Sequence, residues 1–171
     1  VGMVKLEEQM GSKTWMEYMK RFNIGKKTGI ELPGEVSGGI SFEHASDQAM
    51  TSFGQSVNVN TMQMLQAFSA IANGGKMIKP QIIKKVVDPN TGKTTQTFKR
   101  KVVSQPIKAS TAKQVQKAMR QVVTKEYGTG IVYNVPGVKV GVKTGTAQIA
   151  SPTGGYLTGS NNYIFSVAGM I

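Results

Sequence analysis

The sequence predicts an α/β fold of the α+β kind, with helices packed on a mainly antiparallel sheet. Three observations carry this. Apolar residues recur at helical spacing in three stretches of the first 75 positions, Met3 to Met10, Trp15 to Phe22 and Met64 to Ile71. Two β-prone runs then flank a turn, Asp88-Pro89-Asn90-Thr91-Gly92. A second long helical pattern follows, and after it come two runs rich in β-branched and small residues, Val135 to Ile149 and Tyr163 to Ile171. Helices first, then hairpin, helix and strands, form a layered arrangement rather than a repeating strand–helix alternation.

The elements follow in order. Met3, Leu6 and Met10 predict a short helix that Gly11 stops. Ser12 is a plausible cap for a second helix, whose apolar face is Trp15, Met16, Met19 and Phe22. These Met and aromatic residues are read as packing, not as ligands. Lys26 to Gly39 is rich in Gly and Pro and reads as a loop. The strongest helix opens at Asn60 or Thr61, buries a stripe of Met64, Leu65, Phe68 and Ile71, and ends at Asn73-Gly74-Gly75. Ile82 to Val87 and Thr94 to Phe98 form a hairpin. Ser110 caps a helix running to Thr124, with Val115, Ala118, Met119 and Val122 as its apolar face.

Composition narrows the chemistry. The chain has 171 residues, 39% of them hydrophobic, which suits one core. It has no Cys, so disulfides, zinc–thiolate sites and a cysteine nucleophile are excluded. No apolar run is long enough to span a bilayer, and the chain does not begin with Met, so it is expected to be part of something longer. The net charge of +12 implies attraction to polyanions. Nearly all of it is Lys, with Arg only at 21, 100 and 120, and the lysines are not interleaved with aromatics. That argues against specific nucleic-acid binding.

Several motifs fail on inspection. A P-loop needs Gly, then four residues, then Gly-Lys-Ser/Thr; Val87 stands at the first position for Lys93, and Val142 precedes Lys143. No dinucleotide fingerprint and no Gly-x-Ser-x-Gly elbow is present. His44 is the single histidine, so no His-pair metal motif forms, and no metal or cofactor is implied.

What remains is Gly137-Val-Lys-Val-Gly-Val-Lys-Thr-Gly-Thr-Ala-Gln-Ile-Ala150. Val138, Val140 and Val142 would anchor a strand, with Lys139, Gly141 and Lys143 on its other face. Lys143 offers charge, Thr144 and Thr146 offer hydroxyls, and Gly145 lets a ligand lie against the backbone. Such a strand suits a carboxylate-bearing substrate and a developing oxyanion. It is equally an ordinary basic edge strand on these residues alone. A second copy, Lys27-Thr28-Gly29, has no such strand before it and reads as loop.

Beyond the motif, the chain resembles the class B penicillin-binding proteins along its whole length. Lys143-Thr144-Gly145-Thr146-Ala147 resembles the third motif of penicillin-recognising serine enzymes. Gly25 to Glu35, Ser52-Phe53-Gly54-Gln55, Thr61-Met62-Gln63, Ala72 to Gly75, Gly154-Gly155-Tyr156 and Tyr163 to Ser166 are similar, in order, to the septal transpeptidases of low-GC Gram-positive bacteria. The resemblance implies a serine β-lactamase/transpeptidase-like fold, with residues 1–171 as the C-terminal portion of one transpeptidase domain. It implies D,D-transpeptidation of peptidoglycan stem peptides, acylation by β-lactams, division-protein partners, and a location at the outer face of the bacterial cell membrane with the anchor outside this chain.

The family's Ser-x-x-Lys nucleophile precedes its Ser-x-Asn, which precedes Lys-Thr-Gly. Ser110-Thr111-Ala112-Lys113, Ser56-Val57-Asn58 and Ser160-Asn161-Asn162 fit the patterns but not that order. The first two motifs are therefore expected upstream, on a segment that packs against this one, and the chain alone is expected to be inactive. The resemblance assigns Lys143 as catalytic and Thr144, Gly145, Thr146 and Gln148 as substrate- or β-lactam-binding. The Thr146 N–H would complete an oxyanion hole. An alternative remains: a non-catalytic basic module of the same fold that binds cell wall or a partner.

Overall fold

The computed structural model describes all residues, 1–171, as two compact units, Val1–Ala109 and Ser110–Ile171. The elements of the first are α1 (Gly2–Met10), α2 (Ser12–Arg21), β1 (Gly39–Ile40), α3 (Ala45–Thr51), β2 (Val57–Asn58), α4 (Thr61–Ala72), β3 (Met77–Ile78), β4 (Lys85–Val87), β5 (Thr94–Thr97) and β6 (Val102–Ser104). The second holds most of α5 (Ala109–Thr124), a 3-10 turn (Ile131–Tyr133), β7 (Gly141–Gln148) and β8 (Tyr163–Met170). Every strand pair, β1–β2, β3–β6, β4–β5 and β7–β8, is antiparallel, as the sequence predicts.

In the first unit, Gly11 separates α1 from α2 at φ 84°, a conformation that favours glycine, and its N–H closes α1 on the Glu7 carbonyl. Gly11, not Ser12, holds the cap position of α2. The predicted apolar face of α1 is largely open: Met3, Leu6 and Met10 are exposed, while Glu7 is buried. Helix α3, which the sequence reading passes over, is joined to α2 by the Trp15 Nε1–H, which donates to Thr51 Oγ1 at 2.8 Å.

Helix α4 forms where predicted, and Asn60 caps it by accepting from the Gln63 N–H at 2.8 Å. Its buried stripe is different: Gln63, Gln66, Ala67 and Ala70, with Leu65 exposed and Met64, Phe68 and Ile71 only half-buried. The cause is what covers it. A loop lies there, and polar groups removed from water, backbone and side chain alike, need partners. Gln63 Nε2 donates to the carbonyls of Lys26 and Ser37, and Gln66 Oε1 accepts from Asn23 Nδ2 at 2.8 Å. The hairpin β4–β5 turns at Asp88, whose carboxylate accepts from the Asn90 N–H (2.8 Å) and the Thr91 hydroxyl (2.9 Å).

The second unit is organised around a valine cluster. Val123, Val140 and Val142 are buried, with Val122 and Val138 packed against them. On α5, Ala112, Met119 and Val123 are buried, whereas the predicted Ala118 is exposed. The helix begins at Ala109, which puts Ser110 inside the first turn and not at the cap. Strand β7 begins at Gly141, later than the run of alternating valines implies. Arg120 explains the delay. Its guanidinium donates to the carbonyls of Val138 (3.2 Å) and Val140 (3.1 Å), so the approach is held by a side chain and not by a neighbouring strand.

Candidate active site

Strand β7 carries the Lys-Thr-Gly-Thr run, and its pairing with β8 fixes where each group points. The register runs unbroken from Gly141↔Met170 to Gln148↔Tyr163. Just beyond it, the Ile149 N–H donates to the Asn162 carbonyl at 3.1 Å, which sets the phase of the ladder. In an antiparallel pair, directly opposed residues alternate between exchanging both backbone bonds and exchanging none. Lys143, Gly145 and Ala147 therefore bond to β8. Thr144, Thr146 and Gln148 turn their N–H and C=O groups to the other edge of β7, which pairs with no strand in this chain. Alternation also places the Thr144, Thr146 and Gln148 side chains on one face and Lys143 on the opposite one.

The details agree with that phase. Lys143 is exposed, and its ammonium curls back to donate to the Thr144 carbonyl, one of the groups turned away from β8. The half-buried Thr144 shares a hydroxyl–hydroxyl hydrogen bond of 2.8 Å with Thr129 on the loop after α5. Thr146 is exposed opposite Phe165, and Gln148 is half-buried opposite Tyr163. Gly145 has a tight neighbour: a Cβ there would stand 2.6 Å from Ser166 Oγ on β8. The strand thus offers a cation, two hydroxyls and unpaired main-chain donors along one edge, a set suited to an anion and to charge developing on an oxygen. Thr129 and Ser166 were not legible as site neighbours, because only the fold brings them to β7.

The second Lys-Thr-Gly sits in a loop of the first unit, as expected, and it holds an internal anion. The Thr28 N–H (2.7 Å) and hydroxyl (2.6 Å) donate to Glu35 Oε1, and the Gly29 N–H donates to Oε2 at 3.1 Å. The Thr28 hydroxyl bond, followed by these backbone bonds and the nearby Lys27 charge, holds the Glu35 carboxyl below its ordinary range. This copy is a structural staple. Ser110 is exposed on α5, and Ser56 and Ser160 lie in irregular segments. No group of three or more His, Cys, Asp or Glu side chains converges as a metal site would require.

Comparison with known proteins covers the whole chain. The Transpeptidase family, described as the penicillin binding protein transpeptidase domain, matches residues 1–171. The chain is 41% identical to Stage V sporulation protein D of Bacillus subtilis over 171 residues, covering 98% of this chain and 26% of that protein. It is 29% identical to the peptidoglycan D,D-transpeptidase FtsI of Escherichia coli, with 99% and 27% covered. Among solved structures, penicillin binding protein 2X of Streptococcus thermophilus superposes with a TM-score of 0.91 at 37% identity, over 100% of this chain and 26% of that one. Penicillin binding protein 3 of Mycobacterium tuberculosis, complexed with aztreonam, gives 0.89 at 32%, with 99% and 39% covered. The chain spans about a quarter of the length of the curated relatives it matches.

Proposed function

The chain belongs to the penicillin-binding protein transpeptidase family, and on that premise we propose that it supplies the Lys-Thr-Gly wall of a peptidoglycan D,D-transpeptidase site. The observation that carries this is the phase of β7, which turns the Thr144 and Thr146 main-chain groups to an unpaired edge beside their own hydroxyls. The residues then take these roles. The Thr144 and Thr146 hydroxyls bind the terminal carboxylate of a stem peptide or β-lactam. The Thr146 N–H donates to the oxygen that becomes negative when the carbonyl is attacked. Lys143 supplies positive charge next to the attacking group, Gly145 keeps the strand close to β8, and Gln148 shapes the cleft beyond.

The attacking serine belongs to the family's Ser-x-x-Lys motif, on sequence preceding Val1. Its Oγ bonds to the carbonyl carbon of the penultimate D-Ala, the peptide C–N bond breaks, and the serine proton passes to the terminal D-Ala, which leaves as the amine. The amine of a neighbouring stem then attacks the acyl-serine and regenerates the hydroxyl. Two easier acyl transfers replace one. These 171 residues alone form no acyl-enzyme. The intact protein works at the outer face of the bacterial membrane with division proteins; within this chain no helix is long and apolar enough to cross a membrane.

The test is the acylation rate of the intact protein by a fluorescent penicillin. Thr144→Val and Thr146→Val each remove one hydroxyl and keep the β-branched shape. A hydrogen bond to a charged group contributes about 1.5–3 kcal/mol, so each change should slow acylation about tenfold to a hundredfold. The loss should shrink for the penicillin methyl ester, which has no carboxylate. Wild-type rates in both variants would refute the assignment.

A further inference from the structure

The positive charge of this chain is concentrated. Eight of its 21 basic residues lie between Lys76 and Lys101, a stretch whose one acidic residue is Asp88. The fold gathers them further at the base of the β4–β5 hairpin. The Phe98 N–H donates to the Lys84 carbonyl at 3.0 Å, Lys85 pairs with Thr97, and the Lys79 N–H donates to the Lys101 carbonyl at 2.9 Å. Lys79, Lys84, Lys85, Lys99, Arg100 and Lys101 therefore crowd onto adjoining backbone segments. Like charges on neighbouring strands repel. Few of these are compensated internally. Lys79 pairs with Glu31 at 3.2 Å, the only ion pair in the chain, and the Arg100 guanidinium donates to Asn73 Oδ1 at 3.2 Å. Lys84, Lys85, Lys99 and Lys101 are exposed, with ammonium groups that bond to nothing in the chain.

We propose that this hairpin base is a docking strip for a linear phosphate-bearing polymer in the surroundings of the protein. Charge complementarity favours that occupant. Consecutive lysines on extended backbone present strongly hydrated point charges on both faces without fixed geometry, which suits a flexible chain of repeating phosphates more than a shaped protein epitope. A nucleic acid would draw on aromatic side chains for base stacking, and Phe98 is the one aromatic residue between Lys76 and Lys101. A lipid surface could be met only by the flanks of the hairpin, where Ile82, Ile83, Val86 and Val102 are exposed among the lysines, because the leading edge is not built to insert. Asp88-Pro89-Asn90-Thr91-Gly92 is polar and carries the acidic residue, where insertion calls for bulky apolar side chains.

The experiment titrates the intact protein with inorganic polyphosphate at several salt concentrations. A quadruple variant, Lys84→Gln, Lys85→Gln, Lys99→Gln and Lys101→Gln, is compared with a charge-matched control, Lys113→Gln, Lys117→Gln, Lys125→Gln and Lys139→Gln. Each ion contact contributes about 0.7–0.9 to the slope of log affinity against log salt. The hairpin variant should lose about 3 in slope and at least about tenfold in affinity at ~0.1 M salt, and the four Lys→Arg changes should keep both. The control should bind nearly as wild type, and penicillin labelling should be unchanged in all three. Equal losses in hairpin variant and control would overturn the proposal, since net charge alone would then account for binding. So would binding to phosphatidylglycerol vesicles without binding to polyphosphate, or much tighter binding to single-stranded DNA than to polyphosphate.

Discussion

Gly130→Ala is the substitution that probes most sharply how β7 is held. Gly130 is buried and its φ is −114°, so alanine meets no backbone strain and the effect is purely steric. The new Cβ would lie 2.6 Å from Val142 Cγ2 and 3.2 Å from Val122 Cγ1. Both neighbours belong to the valine cluster under β7. Valine has one stiff side-chain torsion, so neither methyl can swing clear cheaply. Adding a methyl group to a packed core costs about 1–3 kcal/mol. At about 2–4 °C per kcal/mol for a domain of this size, 2 kcal/mol lowers Tm by about 4–8 °C. Val142→Ala alone removes two buried methyl groups and should cost about 2 kcal/mol through lost burial and the cavity left behind. In the double variant the alanine methyl of residue 130 occupies part of that cavity. The double should therefore be more stable than the sum of the singles by at least about 1 kcal/mol. The assay is urea denaturation of the intact protein with all four members of the cycle. Strict additivity would refute the packing of Gly130 on Val142.

Gly145→Ala should cost about 1 kcal/mol, because one torsion of the exposed Ser166 relieves its hydroxyl, and the cost should vanish in a Ser166→Ala background; melting temperatures of the four proteins check this. Asn60→Ala should cost about 1–2 kcal/mol through the lost cap of α4, while Ser110→Ala, inside the first turn of α5, should stay within about 0.5 kcal/mol and label with penicillin normally. Glu35 has a folded carboxyl pKa below its ordinary value, chiefly through the Thr28 hydroxyl. Its stabilising contribution is therefore complete above the ordinary carboxylate range and is lost as pH falls through the depressed value. Thr28→Ala should make stability less steep in pH across that acid window, as read by denaturation at a series of pH values.

Much of this fold can be read from residues. The hairpin at Asp88, the helices from Asn60 and Ser110, and the strands at Lys143 and Tyr163 are each announced by local turn chemistry or periodicity. What escapes is set by distant partners. Helix α4 buries Gln63 and Gln66 over larger apolar neighbours because a segment far away in sequence brings the Lys26 carbonyl and the Asn23 side-chain amide, polar groups that need hydrogen bonds. Strand β7 starts late because Arg120 claims the carbonyls before it. At the site, the motif and its facing hydroxyls are legible at Lys143 to Thr146. The edge to which their backbone groups turn is not, since it depends on the phase of pairing with β8. Neither is Thr129, which meets Thr144 only through a loop.

The most direct measurement maps the serine that penicillin modifies. The intact protein is acylated, digested and examined by mass spectrometry. The adduct should fall on a serine preceding Val1, in a Ser-x-x-Lys sequence, and its rate of formation should drop in Thr144→Val and Thr146→Val. An adduct on Ser110, Ser56, Ser160 or any other serine of these 171 residues would contradict the account, because β7 would then face no separate nucleophile.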